Sequence, residues 1–274
     1  MLQEPAFSCR NHRAVVIDEL RRLLPRIEGS HKSLPLGLAA LDSHLPEGGL
    51  TCGALHEIVP EAESAAAAAF GFITAILGCL PKPRLLVCVT PAYGRPQGRL
   101  HGHLHGHGLN ALGLDPSRLI LVETANRKET LWAIEEALHS SAAAAVIGAI
   151  EKLDLRTSQR LQLAAGDTGL PLFLLRPAST LESSAAATRW RIGTAKAARD
   201  RFGLIVGPRW RLHLERCRNG RPGQWVVEYD HVAHRFSLAA ALADPAISRS
   251  TSETGRNTPN SPSRTARLGL MTVL

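Results

Sequence analysis

The sequence predicts an α/β protein in which a mostly parallel central sheet is flanked by helices. Two observations lead to this fold class. Short apolar runs, such as residues 84–90 (RLLVCVT), alternate with segments of helical spacing, and a continuous apolar run is typical of a parallel strand buried on both faces. After residue 176 the pattern changes to strict alternation in residues 209–217 and 224–230, on either side of RNGRPG. This change predicts an antiparallel C-terminal hairpin at the edge of the sheet or packed beside it.

The elements follow in order from the same spacing rules. An N-terminal helix is predicted for residues 11–28, where apolar side chains recur on one face and Pro25 bends or ends the last turn. Residues 188–192 are predicted to be extended. In the part of the chain where strands alternate with helices, strands are predicted at residues 53–59, 84–90, 119–123, 144–150 and 171–176. Helices are predicted there at residues 64–78, 127–139 and 156–168.

Composition divides the chain into four regions. Residues 1–33 hold the N-terminal helix and a linker, and residues 34–182 form the α/β core. Residues 183–244 are predicted to be a basic β-hairpin extension of the core. Residues 245–274 consist largely of Ser, Thr, Asn, Pro and Arg with little apolar surface to bury, so a disordered tail is expected there.

The compartment is predicted from what the sequence contains. No apolar run reaches the roughly 18 residues that a membrane span needs, and the first 20 residues have no apolar core typical of a secretory signal. The five cysteines are scattered without paired spacing, which is typical of reduced thiols. A cytoplasmic protein without membrane contact is therefore expected.

Basic charge is concentrated in the last third of the chain. The 274 residues carry a formal net charge of +8, and residues 185–274 hold 15 Arg or Lys against 6 Asp or Glu. A basic block is typical of a protein with an anionic partner, most often a nucleic acid, and arginine beside tryptophan combines phosphate contact with base stacking. The residues predicted to contact nucleic acid are Arg189, Arg191, Arg209, Arg211, Arg216, Arg218 and Arg221.

A second interpretation of this region stays open. Strict alternation in residues 209–217 (RWRLHLERC) would place the tryptophan under the sheet and the arginines on a solvated outer face. An arginine-rich surface of this kind is also common without any nucleic-acid partner.

Residues 48–71 (GGLTCGALHEIVPEAESAAAAAFG) have the outline of a nucleotide-binding strand, loop and helix. A phosphate-binding loop reads G-x-x-x-x-G-K-[ST]: the glycines let main-chain amides wrap the phosphates, the lysine reaches them, and the hydroxyl residue holds magnesium. Here Glu61 and Glu63 add negative charge instead. The positions of the two glycines, the lysine and the hydroxyl residue are taken by Pro60, Ala65, Ala66 and Ala67. A degenerate P-loop without a bound cofactor is predicted.

Two further parts of an ATPase are missing from the sequence. Gly148 stands where the strand of residues 144–150 would end in a magnesium-binding aspartate, and no water-activating glutamate follows residues 84–90. Three losses together predict that the protein is not an enzyme. A divergent ATPase with an unrecognised loop is the alternative.

A histidine-rich stretch is the other candidate for chemistry. Imidazoles at every second position can chelate zinc, nickel or copper, but no cysteine or carboxylate accompanies them and glycines flank them. No metal site is therefore predicted. The histidines are His101, His103, His105 and His107.

Particular segments resemble a known family. Residues 34–58 (LPLGLAALDSHLPEGGLTCGALHEI) resemble the segment that leads into the ATPase core of RecA-type recombinases, with Leu41-Asp42 and Glu57-Ile58 in the matching places. Other segments resemble the ImuA family, and the resemblance covers about residues 34–230. These segments are GLDPSRLILVE, ETLWAIEEAL, residues 144–177, SSAAATRWRI and GPRWRLHLERCRNGRPGQWVVEYD.

The resemblance implies a role and not a reaction. ImuA family proteins act in SOS-induced translesion DNA synthesis, a form of mutagenic DNA repair. They work with ImuB, a Y-family polymerase homologue that lacks polymerase activity, and with an error-prone C-family DNA polymerase. The resemblance therefore implies a RecA-like core that bridges these two proteins through protein–protein contacts. Contact with RecA itself and with DNA is also consistent with it, and a basic DNA-binding module is an alternative function.

Overall fold

The computed structural model describes residues 32–80, 85–91, 104–140, 142–199 and 201–239. The chain divides into the units Met1–Ala239 and Ala240–Leu274, and every described residue belongs to the first unit. The predicted N-terminal helix at residues 11–28 and the predicted disordered tail both lie outside the described residues.

Strands and helices alternate through the first two thirds of the chain, as the sequence predicts. The helices are α1 (Ala39–Asp42), α2 (Ala66–Gly78), α3 (Gly106–Ala111), α4 (Arg127–His139) and α5 (Leu155–Thr168). The strands of this part are β1 (Ser33–Leu34), β2 (Leu50–Thr51), β3 (Leu55–Pro60), β4 (Leu85–Pro91), β5 (Leu119–Thr124), β6 (Ala143–Ala149) and β7 (Leu172–Leu175). The remaining strands are β8 (Thr188–Thr194), β9 (Ala198–Arg199), β10 (Ile205–Gly207), β11 (Arg209–Cys217), β12 (Gly223–Asp230) and β13 (Arg235–Leu238).

Nine of the described strands form one mixed sheet, in the order β13-β12-β11-β8-β3-β7-β6-β4-β5. The six strands from β8 to β5 are parallel to their neighbours, whereas β11, β12 and β13 continue the sheet in antiparallel fashion beyond β8. This arrangement confirms the predicted α/β class with a mostly parallel sheet. It also places the predicted C-terminal hairpin, β11–β12, in the sheet itself.

Helices cover both faces of the sheet. On one face α2 packs with Phe72 and Ile73 against a core that includes Trp190 and Trp210. On the other face α4 and α5 pack against the sheet, with Ile134 among the buried side chains. Trp190 and Trp210 are both buried, which agrees with the alternation interpretation of the basic segment.

The observed ends of helices and strands agree with the predicted ends where the apolar pattern in the sequence is long. Helix α4 and strand β11 have the predicted residues. Strand β3 begins two residues later than predicted and includes Pro60, while a 3-10 turn at Glu63–Ala65 precedes α2. Strands β1, β2, β9, β10 and β13 and helices α1 and α3 were not predicted, because two to six residues give too little periodicity.

A buried histidine lies in the centre of the sheet. His56 is fully buried in β3, where its Nε2 lies 3.0 Å from the Thr51 carbonyl oxygen and its Nδ1 2.8 Å from Thr188 Oγ1. A carbonyl only accepts, so Nε2 carries the proton and Nδ1 accepts from the Thr188 hydroxyl. Burial lowers the pKa of His56 from 6.5 to about 4, and the hydrogen bond to Thr51 opposes this shift.

The low pKa of His56 predicts a loss of stability in acid. The unfolded chain binds the proton near pH 6.5, whereas the folded chain resists it down to about pH 4. The contribution of His56 to stability is therefore fully present above pH 6.5 and is lost as the pH falls through this window, by about 3 kcal/mol at pH 4. Urea unfolding at pH 7.5, 5.5 and 4 measures the slope. The His56→Gln variant should show a flatter slope, and an unchanged slope would refute the assignment.

Candidate functional site at the carboxyl edge of the sheet

The junction between β3 and α2 lies at the carboxyl edge of the sheet, where open α/β sheets bind their ligands. Pro60 ends β3 beside Ile192 of β8, and the Glu61 N–H donates to the Ile192 carbonyl at 2.7 Å. Ala65 ends the 3-10 turn, and Ala66 and Ala67 are the first residues of α2. The residues of the predicted degenerate P-loop therefore do lie on a strand-to-helix junction.

Two carboxylates at this junction are engaged with other parts of the chain. Glu61 Oε2 accepts from Arg211 Nη2 at 2.9 Å and from Nε at 3.2 Å, so the loop after β3 is tied to β11. Glu63 Oε1 accepts from the Ala178 N–H at 2.9 Å and joins this loop to the chain after β7. The junction thus presents negative charge where a phosphate site would present donors.

Gly148 is enclosed by the apolar layer under α4. A Cβ at this position would lie 2.5 Å from Ile134 Cδ1 and 2.8 Å from Leu174 Cδ2. Both side chains would have to shift for any larger residue, and a carboxylate would lose its hydration there. The position that was predicted to have lost a magnesium-binding acid is thus packed for glycine.

A buried carboxylate that the sequence did not reveal lies beside the junction. Glu57 in β3 is fully buried, and its Oε2 pairs with Arg189 Nη2 at 2.7 Å and accepts from the Ser184 hydroxyl at 2.7 Å. The Arg176 side chain is only 1% exposed, and its Nε lies 3.8 Å from Glu57 Oε1. Burial lowers the pKa of Arg176, and the charge of Glu57 counteracts that shift.

Arginines also fix the segment from residue 176 to residue 187, here termed the β7–β8 connection. Three guanidinium groups donate to its main-chain carbonyls over distances of 2.5–3.1 Å. The donor–acceptor pairs are Arg189 with Glu182, Arg216 with Ser184 and Ala186, and Arg218 with Ala185. Together with Glu57, these arginines hold the connection against β3, β8 and β11.

The other four arginines that were predicted to contact nucleic acid also have partners in the chain. Three of them pair with a carboxylate, and the fourth donates to a main-chain carbonyl. The pairs are Arg191 with Glu215, Arg209 with Glu228 at 2.8 Å, Arg211 with Glu61 at 2.9 Å, and Arg221 with the Ser43 carbonyl at 3.3 Å. All seven arginines therefore make intramolecular contacts, and their contact with nucleic acid remains a prediction.

Two of the four clustered histidines lie among the described residues. His105 precedes α3 and His107 lies within it, with ring centroids 5.4 Å apart. His101 and His103 lie outside the described residues. Within the described ranges, no group of three His, Cys, Asp or Glu side chains is placed to hold a metal ion.

A cavity of about 210 Å³ opens at the carboxyl ends of β5 and β6. Arg127 at its edge pairs with Asp154 at 3.1 Å and donates to the Lys152 carbonyl, while Asn126 caps α4. The polar groups named here serve structural roles, β7 separates β6 from β3 in the sheet, and none of the residues that line the cavity belongs to the β3–α2 junction. The cavity is thus distinct from the β3–α2 junction.

These observations define a class of protein. A mostly parallel sheet of nine described strands with helices on both faces and a strand–loop–helix junction at β3 is consistent with a RecA-like core. In the described part of the chain, no helix is long and apolar enough to cross a membrane.

Comparison with known proteins identifies the family. No protein-family model matches the chain. The chain is 34% identical over 241 residues to Protein ImuA of Caulobacter vibrioides, from strain NA1000 / CB15N and equally from strain ATCC 19089 / CIP 103742 / CB 15. The match covers 81% of this chain and 94% of each relative. The chain belongs to the ImuA family, which confirms the resemblance seen in the sequence.

Proposed function

We propose that this protein is a non-catalytic, RecA-like accessory protein of SOS-induced, error-prone translesion DNA synthesis. It bridges an ImuB-like Y-family homologue and an error-prone C-family DNA polymerase in the cytoplasm of a cell with damaged DNA. Membership of the ImuA family supports the process and the partners. RecA and DNA are further partners in this proposal.

The arrangement at the β3–α2 junction supports a role without catalysis. A polyphosphate at this junction would meet the carboxylates of Glu61 and Glu63 and would have to displace their contacts with Arg211 and Ala178. Like charges repel, and no lysine is available at Ala66 to offset them. Carboxylates at a strand-to-helix junction, where a phosphate would need hydrogen-bond donors, support a protein that works through its surfaces.

Two measurements test this proposal. Calorimetric titration with magnesium ATP is expected to give no saturable heat, and co-expression with the ImuB-like protein and the C-family polymerase of the same genome is expected to give a stable complex. Failure to co-purify with one or both of these partners would refute the bridging role. ATP turnover that survives substitution of Glu61 and Glu63, but is lost when the start of α2 is disrupted, would instead support a divergent ATPase.

A further inference from the structure

A hairpin between β8 and β11 exposes a cluster of large apolar side chains. It spans residues 195–208, and within it β9 and β10 pair as an antiparallel sheet of their own, with Arg199 opposite Ile205. Phe202 is 72% exposed, and Leu204 and Ile205 are each 65% exposed. Single exposed apolar residues are ordinary on a protein surface, but a contiguous group of them marks a site of interaction. The β9–β10 hairpin is therefore a candidate binding surface.

The hairpin is fixed at its base and open at its turn. At the base, Gly207 is buried against β12, where a Cβ would lie 2.9 Å from the Tyr229 carbonyl oxygen. At the turn, Arg199 Nη1 donates to the Gly203 carbonyl at 2.5 Å, and a Cβ on Gly203 would meet no atom of the described residues within 4 Å. The turn thus projects into solvent in a defined conformation.

The hairpin also carries an excess of positive charge. Its sequence contains three cations, Lys196, Arg199 and Arg201, against one acid, Asp200, which leaves a net charge of +2. All three cationic residues are exposed. Because one acid does not neutralise three cations, the hairpin favours an anionic partner.

Charges on the adjoining strands do not offset this excess, because they occur in pairs of opposite sign. The pairs are Arg209 with Glu228, Arg211 with Glu61, and Arg235 opposite Asp230 in the register of β12 and β13. These six residues together add no net charge beside the hairpin. An anionic partner would therefore be attracted by the cations of the hairpin itself.

The turn combines a cation and an aromatic ring, as a site for unstacked bases does. Arg201 Cζ lies 4.7 Å from the centroid of the Phe202 ring, so a guanidinium group and an exposed ring are presented together. Proteins that bind single-stranded nucleic acid stack bases on exposed aromatic rings and contact the phosphates with nearby cations. Apolar side chains such as Leu204 and Ile205 also pack against bases in nucleic-acid complexes.

The composition of the hairpin favours a nucleic acid over a protein as the partner. Lysine is depleted in protein–protein interfaces, whereas phosphates attract lysine and arginine alike. A single strand offers phosphates and accessible base faces side by side, so it satisfies the cations and the ring at once. In a duplex the base faces are covered by stacking. A single strand therefore fits the hairpin better than a duplex does.

We propose that the β9–β10 hairpin is a binding site for a single strand of nucleic acid. Phe202 stacks on a base, while Leu204 and Ile205 contact the neighbouring bases. Lys196 and Arg201 contact phosphates. None of these residues is among the seven arginines that were predicted to contact nucleic acid, all of which are engaged within the fold. This inference rests on the proposed function, in which DNA is a partner, and it identifies the surface that makes that contact.

Fluorescence anisotropy with a labelled oligothymidine tests the stacking contact in the full-length chain. Phe202→Ala should weaken binding about 5- to 150-fold, the contribution of stacking one base on an aromatic side chain. Phe202→Tyr keeps the ring and should bind like the unmodified chain, whereas Phe202→Leu keeps only apolar bulk and should bind as weakly as Phe202→Ala. The thermal midpoint should stay unchanged in all three variants, because the side chain is exposed. Trp132→Ala is the matched control: it removes an exposed ring from α4 and should leave binding unchanged.

Lys196→Gln tests the phosphate contact through the salt dependence of the same binding. Each phosphate contact releases counterions, so the logarithm of the binding constant falls with the logarithm of the salt concentration by a slope of about 0.7 per contact on a single strand. The variant should therefore have a slope that is shallower by about 0.7. Lys128→Gln removes the same charge from an exposed position on α4 and should keep the original slope.

The outcomes separate this inference from the bridging function. If the unmodified chain does not bind oligothymidine, the hairpin site and DNA as a partner are both refuted, whereas co-purification with the two protein partners still decides the bridging role. If the chain binds and Phe202→Ala binds equally well, the hairpin site alone is refuted. Loss of a protein complex in Phe202→Ala, with oligothymidine binding retained, would show that the hairpin binds a protein and would overturn the inference. Equally strong and equally Phe202-dependent binding to an oligothymidine–oligoadenosine duplex would overturn the preference for a single strand.

Discussion

Replacing Glu57 by glutamine is expected to destabilise the fold by about 3–5 kcal/mol, because the substitution leaves buried guanidinium groups without their counter-charge. Glu57 is fully buried, as is Arg176, and the Arg189 side chain is only 12% exposed. Glutamine keeps the shape of the side chain, but it removes the charge and replaces one acceptor oxygen with an NH2 donor. Urea unfolding monitored by circular dichroism measures the loss as a lower midpoint.

Glu135→Gln is the matched control for this experiment. Glu135 pairs with Arg160 at 2.6 Å across α4 and α5, but the Arg160 side chain is 62% exposed. Such surface pairs contribute about 0–1 kcal/mol, because water already solvates both charges. Equal losses in the two variants would show that the charge of Glu57 has no special role in the fold.

Truncating Trp190 to alanine is expected to cost about 3–5 kcal/mol, the range for removing a large aromatic side chain from a core. Trp190 is fully buried in β8, with its ring centroid 6.1 Å from that of Phe72 in α2 and 6.3 Å from that of Trp225 in β12. Its Nε1–H donates to Thr188 Oγ1 at 3.0 Å, so the variant also removes a hydrogen bond. Thermal unfolding followed by circular dichroism provides the measurement.

Trp132→Ala provides the comparison, since the same side chain is deleted from a different environment. Trp132 lies on α4 and is 63% exposed. Its removal should change the free energy of unfolding by no more than about 0.5 kcal/mol. A large loss at Trp132, or a small one at Trp190, would contradict the arrangement of the core.

The sequence was sufficient to predict the helices and strands whose apolar pattern is long and repeated. Helix α4 was predicted over its full length, because Leu131, Ile134 and Leu138 recur at helical spacing within it. Strands β6 and β7 were recognisable because burial on both faces requires continuous apolar runs. The hairpin was recognisable because alternation and a turn signal occur together.

The sequence did not indicate which residues the charged side chains contact in the fold. Alternation assigns Arg211 to the outer side of a strand, but its partner Glu61 lies 150 residues earlier in the chain. Glu57 gave no signal of burial, since a single carboxylate in an apolar strand carries no information about which arginines approach it. Contacts of this kind depend on the strand order, which the local pattern does not encode.

The position of β3 also has a consequence for how the chain is made. Both neighbours of this central strand, β7 and β8, come much later, and His56 lies 132 residues before its partner Thr188. At a synthesis rate of about 5–20 residues per second, the strand waits on the order of ten seconds for β8 to emerge. During that interval its apolar side chains and the carboxylate of Glu57 remain uncovered on the nascent chain. A strand that is buried along its whole length in the finished protein is therefore open to aggregation during translation.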